Sequence, residues 1–136
     1  MELVTDWDEF PNFSEYEFAC HGADCCGGEA KIDRHFVSML QQLRESIGHP
    51  LIIRSGYRCE VHNAKVQSTG PAHPSGKAVD ILCHGDSALD LISFGSWRFQ
   101  GIGVQQKGEH SKRFLHFDNL AEDEFPGVPR PWLWSY

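Results

Sequence analysis

The run from Asp33 to Ile47 carries Phe36, Leu40, Leu43 and Ile47 at three- to four-residue steps, with polar residues between them. That is the spacing of a helix with one buried stripe. Asp33 stands before the run as a cap. Gly48 and Pro50 follow it, one tolerating a left-handed backbone and the other unable to continue a helix. Upstream, Trp7 to Phe18 alternates aromatics with acids, and Ser14 with Glu17 fits a capping box. A short helical turn there is expected to lay Phe13, Tyr16 and Phe18 onto the body of the domain. Cys20 to Glu29, rich in glycine and cysteine, reads as an irregular loop.

The second half has the pattern of strands. Leu51 to Ser55 is a short apolar run with β-branched residues, expected to be a buried strand. Gly56, Tyr57 and Arg58 turn out of it, Glu60 to Val66 fits a helical turn, and Gln67 to Ser75 reads as a loop. Lys77 to Leu82 predicts a second strand, with Ala78, Asp80 and Leu82 on one face and Val79 and Ile81 on the other. Asp86 is placed to cap a helix over Ser87 to Phe94, with Ala88, Leu89 and Ile92 turned inward. Gly101–Gln105 and Arg113–Asp118 read as an antiparallel pair of strands joined by the polar loop Lys107–Lys112. The tail from Pro126 to Tyr136, with its prolines and tryptophans, is expected to strap across the surface.

Composition narrows the partners. With 136 residues, 40% hydrophobic and 23% charged, the chain is expected to form one soluble domain over residues 1–136 with a single core. A net charge of −7 and singly scattered basic residues argue against nucleic acid as partner. Membrane insertion is not expected, and a monomer is the default. The first residues carry acids and aromatics instead of a basic stretch and an apolar run. The expectation is therefore synthesis in a cytoplasm without an export signal. Five cysteines, Cys20, Cys25, Cys26, Cys59 and Cys83, do not read as a disulfide framework in that setting. Buried free thiols beside an exposed loop are the preferred reading. The alternative is a small metal site made by Cys20, Cys25 and Cys26 with His21 or Cys59.

Chemistry concentrates in three residues. A carboxylate in an apolar strand costs several kcal/mol unless it is paired or metal-bound, so Asp80 asks for a partner. His73 arrives from the loop before it, Gly76 permits a sharp turn between them, and Ala78 leaves space on the same face. His116, between Leu115 and Phe117, comes from another strand. Two imidazoles and a carboxylate form the ligand set of a catalytic zinc site with an open fourth position. Zinc there would activate water and polarise a carbonyl. Arg58, leaving the neighbouring strand towards the same loop, is the candidate donor to the developing oxyanion. His21, His35, His49, His62, His84 and His110 read as surface histidines.

Three ordered motifs carry a resemblance: Ser55 to Arg58; His73, Gly76, Ala78 and Asp80; then Phe114, His116 and Asp118. They resemble the M15 family of zinc D-Ala-D-Ala carboxypeptidases and L-alanyl-D-glutamate endopeptidases. The Cys25-Cys26-Gly27 loop, the Leu43-Arg44 helix and the closing Trp134 to Tyr136 look like the phage and prophage branch, which includes endolysins. The resemblance implies a small α+β domain with a central antiparallel sheet flanked by helices, of the hedgehog/D-Ala-D-Ala peptidase-like kind. It implies zinc held by His73, Asp80 and His116, with Arg58 steadying a substrate carbonyl or carboxylate. The implied substrate is the peptidoglycan stem peptide, reached from the host cytoplasm after release or as part of a virion. Two positions depart from the family pattern: Pro71 where Ser is common, and Arg113 where many members place the catalytic acid. The proton acceptor is then expected to be Asp118, on the same face as His116, with Glu109 second. Alternatively, Asp118 would only orient a neighbour, as a carboxylate behind a metal ligand does. A zinc-holding binding module without activity is the competing reading.

Overall fold

The computed structural model describes residues 1–66 and 70–136. Alternating apolar residues build five strands: β1 (Ile52–Ser55), β2 (Ala78–Leu82), β3 (Gly101–Gln105), β4 (Phe114–Asp118) and β5 (Trp132–Ser135). They hydrogen-bond into one open sheet in the order β1-β2-β4-β3-β5. Every pairing is antiparallel except that of β5, which runs parallel to β3. Four helices accompany the sheet among the described residues: α1 (Glu15–Phe18), α2 (Arg34–Ile47), α3 (Glu60–Lys65) and α4 (Gly85–Gly95). This is the α+β class expected from the sequence. Among the described residues, no helix is long and apolar enough to cross a membrane.

The core fills one face of the sheet. Val79, Ile81, Leu115 and Phe117 are fully buried, and they cluster with Phe36, Val37, Leu40 and Leu43 of α2 and Leu91 of α4. Burying each such side chain contributes about 1.5–3 kcal/mol. The predicted caps of α2 form: the Asp33 carboxylate accepts the Phe36 amide at 3.1 Å, and Gly48 ends the helix in the left-handed conformation with φ 75°. The Ser14–Glu17 capping box is also present.

Four expectations change. Tyr16 is 77% exposed although Phe13 and Phe18 are buried. At about 100° per residue, positions two apart in a single turn cannot both face the core. α4 begins at Gly85, with His84 and not Asp86 at its N-cap, and its buried stripe runs through Ala88, Leu91 and Gly95, which leaves Leu89 exposed. β1 is an edge strand with Ile52 exposed, since a second neighbour never pairs with it. The tail is a strap only as far as Pro131, beyond which Trp132–Ser135 becomes β5. Of the loop expected over residues 67–75, residues 67–69 lie outside the described part.

Between that loop and β2 the chain turns through Gly76, with φ 77°. The Gly76 carbonyl accepts the Asp33 amide at 2.8 Å, so the turn packs against the entrance of α2. A Cβ at position 76 would run into the Lys31 carbonyl oxygen. Gly76→Ala therefore adds a left-handed backbone penalty of about 1–2 kcal/mol to a clash with main chain that cannot rotate away. A denaturant melt should show a loss of more than about 2 kcal/mol, with the slope against denaturant unchanged.

Candidate metal centre

Strand register makes the site. β2 and β4 set Asp80 directly opposite His116, and β3 and β5 continue the row with Gly103 and Trp134. A parallel row beside it joins Ala78, Asp118, Gly101 and Trp132. Directly opposed residues share a face, so both rows lie on the side of the sheet away from the apolar core. The segment before Gly76 returns His73 to the same side.

Each imidazole has one nitrogen committed elsewhere. His73 Nδ1 lies 2.7 Å from the Gly56 carbonyl oxygen. A carbonyl only accepts, so Nδ1 carries the proton and the lone pair of Nε2 faces Asp80, 3.4 Å from Oδ1. His116 Nε2 lies 2.8 Å from Asp118 Oδ2, which leaves Nδ1 facing Asp80 Oδ1 at 3.0 Å. Such locking of the remote nitrogen is the usual support of a metal-bound imidazole.

The residues present fit a zinc ion. With ligand bonds of about 2.0–2.1 Å, donor atoms around a tetrahedral zinc stand roughly 3.3 Å apart. The 3.0 and 3.4 Å separations bracket that value. All three residues are buried, and their ligand atoms fall within 4.8 Å of one another. The surroundings favour charge on Asp80 and on His116. Burial alone would push Asp80 up, but the neighbouring imidazoles of His116 and His73 outweigh it and hold the carboxyl well below the usual range. Burial likewise opposes charge on His116, yet Asp118 and Asp80 raise its pKa.

Asp118 sits behind His116. It is fully buried, and Arg130 clamps it with two parallel bonds, Nε to Oδ1 at 2.9 Å and Nη2 to Oδ2 at 2.8 Å. Burial raises the Asp118 pKa, but His116 and Arg130 together pull it down to about 2. Arg130 in turn lies over the Trp134 ring, 5.1 Å from its centroid, and that ring is 5.2 Å from His116. Gly101 makes this possible, because a Cβ there would occupy the space of Asp118 Oδ1 and Arg130 Nε.

His73, Asp80 and His116 line a cleft of about 710 Å³ that is also lined by Arg54, Arg58, Arg130, His21 and His62. The Arg58 Nε is buried and finds no hydrogen-bond partner among the described residues. Burial lowers the Arg58 pKa and the nearby Asp80 works against that. The structure thus brings together four of the five expected site residues around one cleft, with Asp118 buried behind them. Glu109 lies apart on an exposed turn, its carboxylate 3.8 Å from Lys112. Arg113 turns its guanidinium to the Gly108 carbonyl at 2.9 and 3.1 Å. His21, exposed as expected, and His62, half-buried, also line the cleft.

Sequence reasoning missed Arg130, Trp134 and the Gly56 carbonyl. A signal for the first existed: Asp118 is a carboxylate in an apolar strand, and Arg130 is the only Lys or Arg after Arg113. The Peptidase M15 family profile matches residues 11–118, and the chain belongs to that family. The match takes in His73, Asp80, His116 and Asp118 and stops short of Arg130 and β5. M15 peptidases are zinc-dependent, in agreement with the donor set. Comparison with curated proteins returns no match.

Removing the support of His116 should loosen the metal without deleting a ligand. Asp118→Asn is expected to weaken zinc binding about 10–100-fold, read by competition against a chromophoric chelator. Gly101→Ala, which touches no ligand, should shift the same titration in the same direction by displacing Arg130.

Proposed function

We propose that the protein is a zinc-dependent peptidase that cuts the peptide stem of bacterial peptidoglycan, as an endopeptidase or a D,D-carboxypeptidase. The observation that carries this reading is the convergence of His73 Nε2, Asp80 and His116 Nδ1 on one point of an open cleft, each imidazole fixed by its other nitrogen. Zinc held there supplies an acidified water and a Lewis-acid contact for the scissile carbonyl.

The chain's own groups do the rest. Although the whole molecule carries −7, the cleft is lined by Arg54, Arg58 and Arg130. Arg130 is spent on Asp118, and Arg54 lies over the Phe114 ring at 4.7 Å. Arg58 keeps an unfilled donor, and its role in the reading is to hold a substrate carboxylate or the developing oxyanion. Stem peptides are rich in carboxylates, so a cationic cleft on an acidic protein suits them. Asp118 takes the orienting role, because both its oxygens are occupied and it is fully buried. Proton transfer falls to a group that opens on the cleft, where Tyr57, His21, His62 and Tyr136 stand.

The phage-like features, the Cys25-Cys26-Gly27 loop and the Trp134–Tyr136 ending, support a lysis or virion-associated role. In that role the protein is made in a bacterial host cytoplasm and meets the wall after release or injection.

One observation favours a second reading. Among the described residues Asp80 is the only carboxylate lining the cleft, and Arg113 occupies the position where an acid was expected. Family members can be inactive, and the same site would then serve a zinc-stabilised binding module.

A digest of purified Gram-negative peptidoglycan with zinc-loaded protein, resolved by mass spectrometry beside an EDTA-treated control, separates the two. New peptide ends that vanish with EDTA are expected, and their masses name the bond. His73→Ala and Asp80→Ala should abolish both zinc binding at this site and cleavage. Arg58→Ala should keep the metal and lose turnover by roughly 10²–10³-fold. Tight zinc binding with no bond cut would make the binding module the better reading.

A further inference from the structure

Four of the five cysteines meet outside the site just described. Cys20, Cys25 and Cys26 come from the loop after α1, and Cys59 caps the N-terminus of α3. Their sulfur atoms all lie within 4.8 Å of one another. The Cys20 Sγ stands 3.9 Å from Cys25 Sγ and 3.8 Å from Cys59 Sγ. A disulfide requires about 2.05 Å. Four thiolates around one tetrahedral zinc, with bonds of about 2.3 Å, stand roughly 3.8 Å apart. The sulfurs are spaced as the corners of a metal tetrahedron and not as bonded pairs. All four cysteines are free.

The surrounding chain has need of such a staple. Residues 21–28 contain no apolar side chain apart from the two cysteines and an exposed Ala23. The loop reverses through Asp24, Gly27 and Gly28, all with positive φ. Ordering so flexible a segment costs conformational entropy, and its apolar packing is confined to the cysteines beside Tyr57. Yet it is folded back, with the Cys20 amide on the Glu29 carbonyl at 2.8 Å and Lys65 Nζ on the Ala23 carbonyl at 3.2 Å. The Cys59 sulfur also accepts the His62 amide at 3.4 Å, the kind of outer contact that supports a metal thiolate. Cys83 makes the contrast: it lies in the main core with its thiol on the Ile81 carbonyl, far from this company.

We propose that Cys20, Cys25, Cys26 and Cys59 hold a second, structural metal ion, a closed tetrathiolate zinc site. Soft sulfur ligands in tetrahedral array select zinc or iron, and a site with four protein ligands leaves no position for substrate. Its role follows from Cys59, which directly continues Tyr57 and Arg58 into the wall of the cleft. The metal joins the 20–26 loop to that segment, and so fixes the backbone from which Arg58 reaches the first site. The existence of the site is independent of the peptidase reading; only this positioning role rests on it.

The full chain, purified under reducing conditions from zinc-supplemented cells, should contain two zinc ions by elemental analysis. His73→Ala should retain one. Replacement with Co²⁺ should give the intense near-ultraviolet thiolate-to-cobalt charge-transfer band, and the band should survive in His73→Ala. In the double variant Cys25→Ser/Cys26→Ser the band should vanish while the metal held by His73, Asp80 and His116 remains. A wild-type cobalt form without that band, or a single metal that disappears in His73→Ala, would overturn the proposal. Disulfides found within the cluster in the reduced preparation would overturn it as well. The wild-type and His73→Ala measurements decide the matter even where the cysteine variant fails to fold. A failed peptidoglycan digest leaves the metal count untouched, so the two readings can fail separately.

Discussion

A carboxylate in a middle strand of a sheet has to be met by positive charge, and Asp80 sets that requirement here. The Asp80 carboxylate is buried and has little access to water. Its nearest neighbours are imidazole nitrogens from two directions, His73 from the preceding loop and His116 from the facing strand. His116 then brings in a second buried carboxylate, Asp118, which has to be met by Arg130. Removing one member of such a row strands a charge on its neighbour, and that costs more than the pair itself contributes. The fold around the row follows its needs: a tight turn at Gly76, a small residue at Ala78, and a bare backbone at Gly101 where Arg130 enters.

How much of this could be read from the chain varies with the kind of signal. The helix at Arg34–Ile47 was legible because its stripe and both caps agree. The strand containing Asp80 was legible because alternation and a lone acid in an apolar run are local facts. So was the neighbourhood of His116, since an acid in one strand and an imidazole in the next need only register to meet. The parts that stayed hidden depend on contacts between distant segments. Nothing local in Trp132–Ser135 says that it will pair with β3 in parallel, and its three preceding prolines read as a strap. The exposure of Ile52 reflects the lack of a further strand outside β1, which composition does not report. Asp118 was placed on the right face and beside the right histidine. Its partner Arg130 was passed over because it comes from that same misread tail.

Two halves of the molecule are held by different physics. The side facing α2 and α4 is a close-packed apolar core, with aromatic contacts such as Phe99 against Phe36 and Phe117 at 5.7 and 5.0 Å. The opposite side is short of apolar packing and is built from ionic pairs, imidazoles and thiols. A small domain has limited surface to bury, and here polar chemistry occupies the side that the helices leave open. The same side carries the cleft, so the forces that shape its walls are strong, directional and sensitive to what is bound.

The irregularity in β1 bears on a different matter. The pairing of β1 with β2 slips between Ile53 and Ser55, so that Ser55 faces Asp80. Such a slip bends a strand and sharpens its twist. β1 is also the outer strand on its side of the sheet, with Ile52 uncovered. A straight, apolar outer strand would offer a row of free amides and carbonyls to the same strand of another molecule. The bend breaks that row after two residues and turns Arg54 and Ser55 toward the cleft. One local kink therefore shapes the wall of the cleft and, with the same stroke, interrupts the free edge of β1.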